Sequence, residues 1–493
     1  MQDETSGAAA DESSDGTHSS WTRRVIGYVA ILILVNVMVD TVLAAPTFVL
    51  PELKDAFHTD QLAWIDSSAM LAGAMWAPLL GKSADIHGKR RVLVTALLVA
   101  GIGGVVCLLA PNIGVFVLGR ALQGSAVAAM FLSVAIIRDL CTSRFAMVVT
   151  GVVTSGSAVF GIVSPFVLEG ATAVFGWRFV FVVSAAFAAV AAFCVRRVIP
   201  NSRIRTPGTV DLRGGLALGG GLAGVLVYIS LGQELGWAGA VPLAILTGGV
   251  ALLLVWFFVL SRIPEPVIDL RGISLALGLG LLVVVTGTGA YRSMLSLFSL
   301  LVDVSPDEGL GYGIAGPGAL GLMFGIPSIG IMLGGVVAGT IATRLGPAWP
   351  LGAGVALGTT ASLVMLSAGT ASLPVAVVCS FMLSLTAGSL VTSGFNLASV
   401  LAPPERQASV SGIVMVMVAI GSVTMSFIGS AILGATNTVV DGETVNSSTG
   451  IHAYIAVAAG VFALAAVPTG FLIHRMRGHG TRAAHKPRGV VRT

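Results

Sequence analysis

Charged residues are scarce in this chain. Only 10% of its 493 residues are Asp, Glu, Lys or Arg, whereas 55% are hydrophobic and the mean hydropathy is +0.94. A soluble domain carries about a quarter charged residues, so this composition excludes an ordinary water-soluble fold. A helix that crosses a bilayer needs about 20 mostly apolar residues. The composition therefore predicts a polytopic α-helical membrane protein.

Cysteine is also rare, and no catalytic pattern is formed. The four cysteines stand singly in apolar surroundings, so neither a disulfide framework nor a zinc site is indicated. The tripeptide GKS at 81–83 is not part of a nucleotide-binding loop, because Trp76 occupies the position of the first required glycine. We expect no metal, no cofactor and no nucleic-acid partner. An enzyme would have to be assembled from Asp40, Glu169 and Arg120, and we expect none.

Fourteen apolar segments are long enough to cross a bilayer. They are placed at 25–45, 62–81, 92–110, 113–137, 145–169, 177–195, 213–232, 238–260, 272–302, 317–342, 350–369, 372–400, 407–434 and 451–473. Of the 27 Lys and Arg residues, all except Lys54, Arg120, Arg178 and Arg292 fall in the tails and connections on one side. The positive-inside rule then predicts cytoplasmic termini and a multi-pass protein of the cell (inner or plasma) membrane.

An internal repeat divides the chain into two halves. The loop after the second segment reads GKSADIHGKRR from Gly81, and the loop after the tenth reads GTIATRLG from Gly339. We expect, in chain order, a disordered cytoplasmic tail at 1–20, an N-terminal six-helix bundle at 21–197, a linker with two additional helices at 198–271, a C-terminal six-helix bundle at 272–475 and a basic tail at 476–493. Duplicated halves around a midplane cavity are typical of transporters.

Few acidic side chains lie inside the predicted spans. A charge at the bilayer centre costs about 3 kcal/mol even on the mildest scale, so such a residue must face protein or water. Asp40 lies deep in the first span and Asn36 lies one turn before it, so both share a face that we expect to line a cavity. There Asp40 can gain and lose a proton, although a structural, paired Asp is the alternative. Glu169, near the outer end of the fifth span, has either a coupling role or an incidental one.

Two arginines inside the predicted spans need partners. Arg120 in the fourth span keeps its proton, so it requires a carboxylate or a helix C-terminus. Arg292 in the ninth span either balances Asp40 across the cavity or binds an anionic group of the substrate. The expected substrate cavity is lined by Asn36, Asp40, Gln123, Tyr291, Arg292 and Asn396.

Four segments carry motifs known from transporters. The loop motif GxxxDxxGxxR is present as Gly81, Asp85, Gly88 and Arg90 or Arg91; RxxQG begins at Arg120; and Asp40-Thr41 precedes Ala44-Ala45-Pro46. The antiporter motif of the fifth span is matched in part. Gly151 and Pro165 are present, but the positions where the motif has glycine are occupied by Phe160, Ser164, Leu168 and Glu169. In these motifs the chain resembles the major facilitator superfamily, specifically its fourteen-span drug:proton antiporter branch, from Arg24 to Arg477.

The resemblance implies roles for particular residues. Proton coupling would be carried by Asp40, Arg120 and Glu169. A cytoplasmic gate would comprise Gly81, Asp85, Gly88, Lys89, Arg90, Arg138 and Asp139, unless this loop is merely solvated. The fifth span would bend at Gly151, Gly161 and Pro165, with plain helix packing as the alternative.

These features predict a major facilitator fold and a secondary active transporter. We expect export of small hydrophobic or cationic drugs by proton-coupled antiport and alternating access. The partners would be a small-molecule substrate, protons and the lipid bilayer, and the protein would act as a monomer. The alternatives are a dedicated exporter of one metabolite, lipid or siderophore, and a membrane sensor without turnover. A titratable acid inside the membrane, Asp40, favours transport over sensing.

Overall fold

The structure is a computed structural model that describes residues 17–484 except 45, 47–48, 59–61, 203–204, 260–261, 265, 267–273, 305–309, 315–316, 437 and 441–442. The N-terminal half contains α1 (Arg23–Ala44), α2 (Leu50–Phe57), α3 (Leu62–His87), α4 (Lys89–Leu108), α5 (Ile113–Gln123), α6 (Ala128–Leu140), α7 (Ser143–Gly156), α8 (Ala158–Phe175) and α9 (Arg178–Val198). Two further helices follow, α10 (Leu212–Leu235) and α11 (Ala240–Phe258).

The C-terminal half contains α12 (Leu275–Asp303), α13 (Pro317–Leu320), α14 (Ile326–Leu345), α15 (Ala348–Ser367), α16 (Leu373–Leu401), α17 (Gln407–Ala435) and α18 (Ser448–Ala484). Between α17 and α18 a short antiparallel hairpin pairs β1 (Thr438–Val440) with β2 (Glu443–Val445). The all-α prediction missed this hairpin, whose strands are three residues each and lie outside the apolar segments.

Twelve helices in the described part of the chain are long and apolar enough to cross a membrane. They include α11, whose surface exposes Leu254, Phe257 and Phe258, as expected of a helix that faces lipid. The helices α3 and α10, of 26 and 24 residues, lie outside this set. The chain is therefore a multi-pass membrane protein, and the count of fourteen spans stays a prediction.

Several predicted spans differ from single straight helices. The fourth span consists of α5 and α6 joined by a 3-10 turn at Gly124–Val127. The fifth consists of α7 and α8, separated at Ser157, where the Phe160 amide bonds the Ser157 carbonyl three residues back. The last helix, α18, continues to Ala484 and so enters the region predicted as a tail. Hydropathy marks where a helix meets lipid and carries no information on where its hydrogen bonding changes.

The internal repeat has the same turn in both halves. Gly88 connects α3 to α4 with φ of 100°, and Gly346 connects α14 to α15 with φ of 84°. A residue without a β-carbon adopts this left-handed backbone readily, which ends one helix and starts the next. Both turns lie at the end of the bundle that carries Arg91, Arg144, Arg205, Arg344 and Arg406, which we call the basic end.

Small residues bring the two halves together. The helices α7 and α8 run antiparallel to α14, and we call their contact the seam: Met147, Gly151, Ser155 and Gly161 on one side, and Ser328, Gly335, Gly339 and Thr343 on the other. A β-carbon on Gly151 would meet the Gly335 carbonyl oxygen, and one on Gly339 would lie 2.7 Å from the Met147 carbonyl oxygen. Such close backbone approach is how helices associate without a hydrophobic driving force.

We predict that Gly151→Val destabilises the protein, because the new side chain has no space at the seam. Overpacking of this kind costs about 1–3 kcal/mol, so the midpoint of thermal unfolding in detergent should fall by several degrees. The matched control is Gly248→Val in α11, where a β-carbon meets nothing within 4 Å. Equal midpoints for the two variants would show that the seam is not packed in this way.

Candidate functional site

Asp40 lies near the C-terminal end of α1 and is partly exposed. Its carboxyl group neighbours the Ser157 hydroxyl, which can donate a hydrogen bond to it. Ser157 is the residue between the end of α7 and the start of α8. One turn earlier Asn36 is buried, and its amide donates to the Leu32 carbonyl at 2.8 Å. Asn36 is therefore enclosed by protein, whereas Asp40 is only partly so, and their predicted role in lining a cavity stays a prediction.

Arg120 is fully buried and is held by the C-terminal end of α1. Its guanidinium donates to the Val42 carbonyl at 2.7 Å, to the Leu43 carbonyl at 3.5 Å and to the Gln123 side chain at 2.8 Å. Carbonyls at a helix C-terminus carry partial negative charge, which stabilises the cation. Of the two partners expected from the sequence, a carboxylate or a helix end, these contacts supply the helix end.

Asp40 and Arg120 therefore act on the same helix without touching each other. Both residues are described, and no ion pair within 4.0 Å joins them. Arg120 fixes the backbone two and three residues beyond Asp40, while Gln123 links it to α9 through the Ser184 hydroxyl at 3.1 Å. Arg120 consequently fixes the end of α1 that carries the Asp40 carboxyl group.

Tyr291 and Arg292 point in different directions from α12. Tyr291 is buried inside the C-terminal half, where it lines a small cavity with Met365 of α15 and Ser380 of α16. Arg292 is exposed. The sequence analysis predicted both residues in one substrate cavity. In the structure their side chains point to different sides of α12, because consecutive residues of a helix are rotated by about 100°.

A buried polar layer joins the halves near the basic end. The hydroxyl groups of Thr154 in α7 and Thr392 in α16 are 2.9 Å apart, and the Asn396 amide donates to the Met147 carbonyl at 3.3 Å. All four residues belong to the contact between halves, and Thr392 and Asn396 are fully buried. Asn396, expected to line the substrate cavity, thus closes one end of the space between the halves.

Asp85 bridges the halves at the basic end itself. Its carboxylate accepts hydrogen bonds from the backbone amides of Ala408 and Ser409 at 3.0 and 2.9 Å and from the Ser409 hydroxyl at 2.6 Å. These donors form the N-terminus of α17, where a negative charge is stabilised by the helix dipole. Gly81 allows the approach, since a β-carbon there would lie 3.0 Å from the Ser409 α-carbon.

The other basic-end residues act within the N-terminal half. Lys89 of α4, which is buried, forms an ion pair with Asp139 of α6. The Arg90 guanidinium donates to the Ile199 carbonyl at 2.9 Å, and that of Arg138 to the Ser143 carbonyl at 3.0 Å. Gly88, the remaining residue of the predicted gate, provides the turn between α3 and α4. Of the seven predicted gate residues, Asp85 and Gly81 are the ones for which the described contacts cross between the halves.

The fifth span contacts both Asp40 and the opposite half. Gly151 and Gly161 are seam residues that approach Gly335 and Ser328. The helix is interrupted at Ser157, and the backbone of α8 continues through Pro165 and Glu169. The side chains of these last two residues lie outside the described part of the structure, so their predicted roles in bending and coupling stay predictions.

Sequence reasoning did not single out several of these partners. Ser409, Thr154, Thr392 and Met147 belong to helices whose hydropathy is uniform, so nothing in the local pattern distinguishes them. The repeated motif singled out Asp85, but nothing in the sequence indicated its partners at the start of α17. The linker after α9 also contacts the C-terminal half, because the Thr206 hydroxyl donates to the Glu405 carbonyl at 2.7 Å. No sequence pattern indicated this contact.

Comparisons with known proteins agree with this architecture. The chain is similar to the lincomycin resistance protein of Streptomyces lincolnensis, with 30% identity over 212 residues, or 42% of each protein. It is also similar to the multidrug resistance protein Stp of Mycobacterium tuberculosis, with 23% identity over 397 residues, or 78% of this chain and 71% of that one. The chain spans less than half the length of the first relatives that it matches.

The fold is shared with solved structures. The human organic anion transporter MFSD10 (TETRAN) superposes with a TM-score of 0.62 and 17% identity, covering 92% of this chain and 99% of that one. The family model described as Major Facilitator Superfamily matches residues 29–426 and, in an overlapping second match, 277–490. These matches confirm the resemblance read from the motifs and the prediction that the protein is not an enzyme. Since the family model covers well over half of the sequence, the chain belongs to the Major Facilitator Superfamily.

Proposed function

We propose that this protein is a secondary active transporter that exports small hydrophobic or cationic molecules by proton-coupled antiport. The supporting observation is Asp40, a carboxyl group far along a membrane helix that is partly exposed, contacts a serine and forms no ion pair with any described cation. An acid in that position is costly to keep charged and is useful when it exchanges a proton. The names of the similar proteins, which include resistance and efflux proteins, support export.

The proposal includes an orientation. Fourteen spans with both termini in the cytoplasm of a cell membrane place the basic end inside, as the distribution of Lys and Arg requires. The polar layer and the Asp85 contact then lie toward the cytoplasm, and the seam extends from that side, at Thr343, along α14 to Ser328. This arrangement closes the inner side, so it represents an outward-facing state of a monomer that works by alternating access.

Asp85 serves as the inner latch in this cycle. Its three hydrogen bonds to the start of α17 hold the halves together, and they must break before the inner side can open. Hydrogen bonds to a charged group contribute about 1.5–3 kcal/mol, which is enough to bias a two-state equilibrium without locking it. The pair Lys89 and Asp139 keeps α4 and α6 together so that the N-terminal half moves as a unit.

A second function is favoured by one feature. Arg292 is an exposed cation on a membrane helix, which suits recognition of an acidic group better than binding of a simple cation. A dedicated exporter of one metabolite, lipid or siderophore would use it in that way. The membrane sensor without turnover has no comparable support, because it needs no titratable acid.

We predict that Asp40→Asn inserts normally but loses proton-coupled transport. The amide keeps the shape and the contact with Ser157 but cannot exchange a proton. In everted vesicles that carry a proton gradient, ethidium added to the wild type should partly reverse the quenching of a pH-sensitive dye. The variant should show a response at least about tenfold weaker, as expected when an essential proton carrier is removed. Asp55→Asn, on the exposed helix α2, is the control and should behave as wild type. A full response from Asp40→Asn would contradict the assignment.

We predict that Asp85→Asn opens the inner side more often, since it removes the charge that the start of α17 stabilises. The reporter is Thr150→Cys, a buried α7 position beside the seam, in a background with Cys194→Ser. The rate of labelling by a membrane-impermeant maleimide from the basic end should rise about tenfold, matching a loss of about 1.4 kcal/mol. Glu405→Gln, which changes an exposed carboxylate and keeps the backbone acceptor of Thr206, is the control. Unchanged labelling in Asp85→Asn would rule out the latch.

A further inference from the structure

Residues 205–211, which we call the strap, connect the basic end to the start of α10. The Thr206 amide donates to the Asp85 backbone carbonyl at 2.8 Å, and a β-carbon on Gly88 would lie 3.3 Å from Nε of Arg205. Asp85 belongs to the last turn of α3, and Gly88 directly follows that helix. The strap therefore begins in contact with α3.

The other end of the strap is fixed to the same helix through α10. The Asp211 carboxylate accepts a hydrogen bond from the Gly214 amide at 2.8 Å, which caps the start of α10. Further along α10, a β-carbon on Gly219 would lie 2.8 Å from the Met75 carbonyl oxygen of α3. Close backbone approach of this kind packs membrane helices against each other. Because both of its ends are attached to α3, the strap belongs mechanically to the N-terminal half.

One side chain of the strap reaches the C-terminal half. The Thr206 hydroxyl donates to the Glu405 backbone carbonyl at 2.7 Å. Glu405 belongs to a short 3-10 turn, Pro404–Arg406, that leads directly into α17. A bond resists the separation of two bodies only when its ends are anchored in different bodies. Here the donor is anchored to α3 and the acceptor to α17, so this bond must break when the halves separate at the basic end.

This bond and the Asp85 latch hold the same part of α17. The Asp85 carboxylate accepts from the amides of Ala408 and Ser409, and the Thr206 hydroxyl donates to a carbonyl three residues before Ala408. Asp85 joins the two contacts, because its own backbone carbonyl holds the Thr206 amide. The start of α17 is thus bound through its donors by one side chain and through an acceptor by the other. A movement of α17 away from α3 has to break both contacts.

We propose that the strap is a second latch on the inner side, kept in place by α10, and that Thr206 is its contact with the C-terminal half. The strap stays with α3 when the inner side opens, and it releases the Glu405 carbonyl. A neutral hydrogen bond contributes less than one to a charged group, so the strap adds to the Asp85 latch without replacing it. The inference rests on the proposed function only in taking the basic end as a side that opens. It gives the additional helix α10 a role in the gate.

Two variants of one residue test the strap in everted vesicles, which expose the basic end in the proposed orientation. Thr206→Val keeps the shape of the side chain and removes the donor, whereas Thr206→Ser keeps a hydroxyl. The reporter is maleimide labelling of Thr150→Cys in the Cys194→Ser background. Thr206→Val should raise the labelling rate about threefold to tenfold, the effect of one lost neutral hydrogen bond, and Thr206→Ser should label at the wild-type rate. An unchanged rate in Thr206→Val, or an equal rise in both variants, would overturn the inference.

A pair of neighbouring glycines tests the attachment of the strap through α10. Gly219→Ala places a methyl group against the Met75 carbonyl and pushes α10 away from α3, whereas a β-carbon on Gly220 would meet Leu252 at an ordinary 3.5 Å. Gly219→Ala should raise the labelling rate at least about twofold, and the matched control Gly220→Ala should not. In the Thr206→Val background Gly219→Ala should add nothing, because both changes act through one contact. Equal rates for the two glycine variants, or an additive rise in the double variant, would overturn the role of α10.

The ethidium response of the same vesicles separates this inference from the proposed function. If wild type gives no proton response to ethidium but Thr206→Val still labels faster, the proposed export is wrong and the strap is supported as a contact that closes the basic end. If wild type responds and Thr206→Val labels no faster, export is supported and the strap is overturned.

Discussion

The two halves of this protein meet where glycine and serine let α7 and α14 approach until backbone touches backbone. Because lipid gives helices no hydrophobic reason to associate, this contact depends on close packing and on hydrogen bonds. Gly151, Gly335 and Gly339 supply the space. Once the seam is formed, Thr154 can bond Thr392 in the dry layer beside it. At the basic end the Asp85 carboxylate adds a second contact between the halves, with the backbone amides at the start of α17.

Three charged side chains lie within the membrane helices, and each has different surroundings. Arg120 is buried and bonded to the carbonyls at the end of α1, so it contributes structure. Asp40 has the Ser157 hydroxyl as a neighbour and forms no ion pair with a described cation, which is why we propose it as the proton carrier. Arg292 is exposed, and its side chain forms no ion pair or hydrogen bond in the described part of the chain. The three groups have the same kind of membrane helix around them but different immediate surroundings.

The fifth span connects these roles physically. Ser157 interrupts the helix and contacts Asp40, while Ser155 and Gly161 on either side of it contact the C-terminal half. In the proposed cycle, a change of proton state at Asp40 would therefore act on the element that forms the seam. A short chain of contacts of this kind is the physical form that coupling between a proton site and a conformational change requires.

The membrane class, the all-helical architecture and the Asp85 loop could be predicted from the sequence because they depend on long apolar runs and on a repeated motif. Gly88 and Gly346 are an example, since the repeat located both turns. The directions of Tyr291 and Arg292 could not be predicted, because they depend on which neighbours α12 has. The contact of Asn396 with Met147 could not be predicted for the same reason, because the two residues are 249 positions apart in the chain. The interruption at Ser157 follows Gly156, a Gly-Ser pair of the kind at which helices bend, although the sequence analysis placed the bend at Gly151, Gly161 and Pro165.

The coupling of Asp40 to the seam is tested most directly by a distance at the basic end. Spin labels on Ser143→Cys and Leu345→Cys, both exposed at the ends of α7 and α14, report the separation of the halves in lipid nanodiscs. If proton binding at Asp40 drives the switch, the distance distribution should move between a short and a long population as pH changes, and Asp40→Asn should abolish that dependence. A wild-type distribution that ignores pH, or an equal pH response in Asp40→Asn, would contradict the coupling.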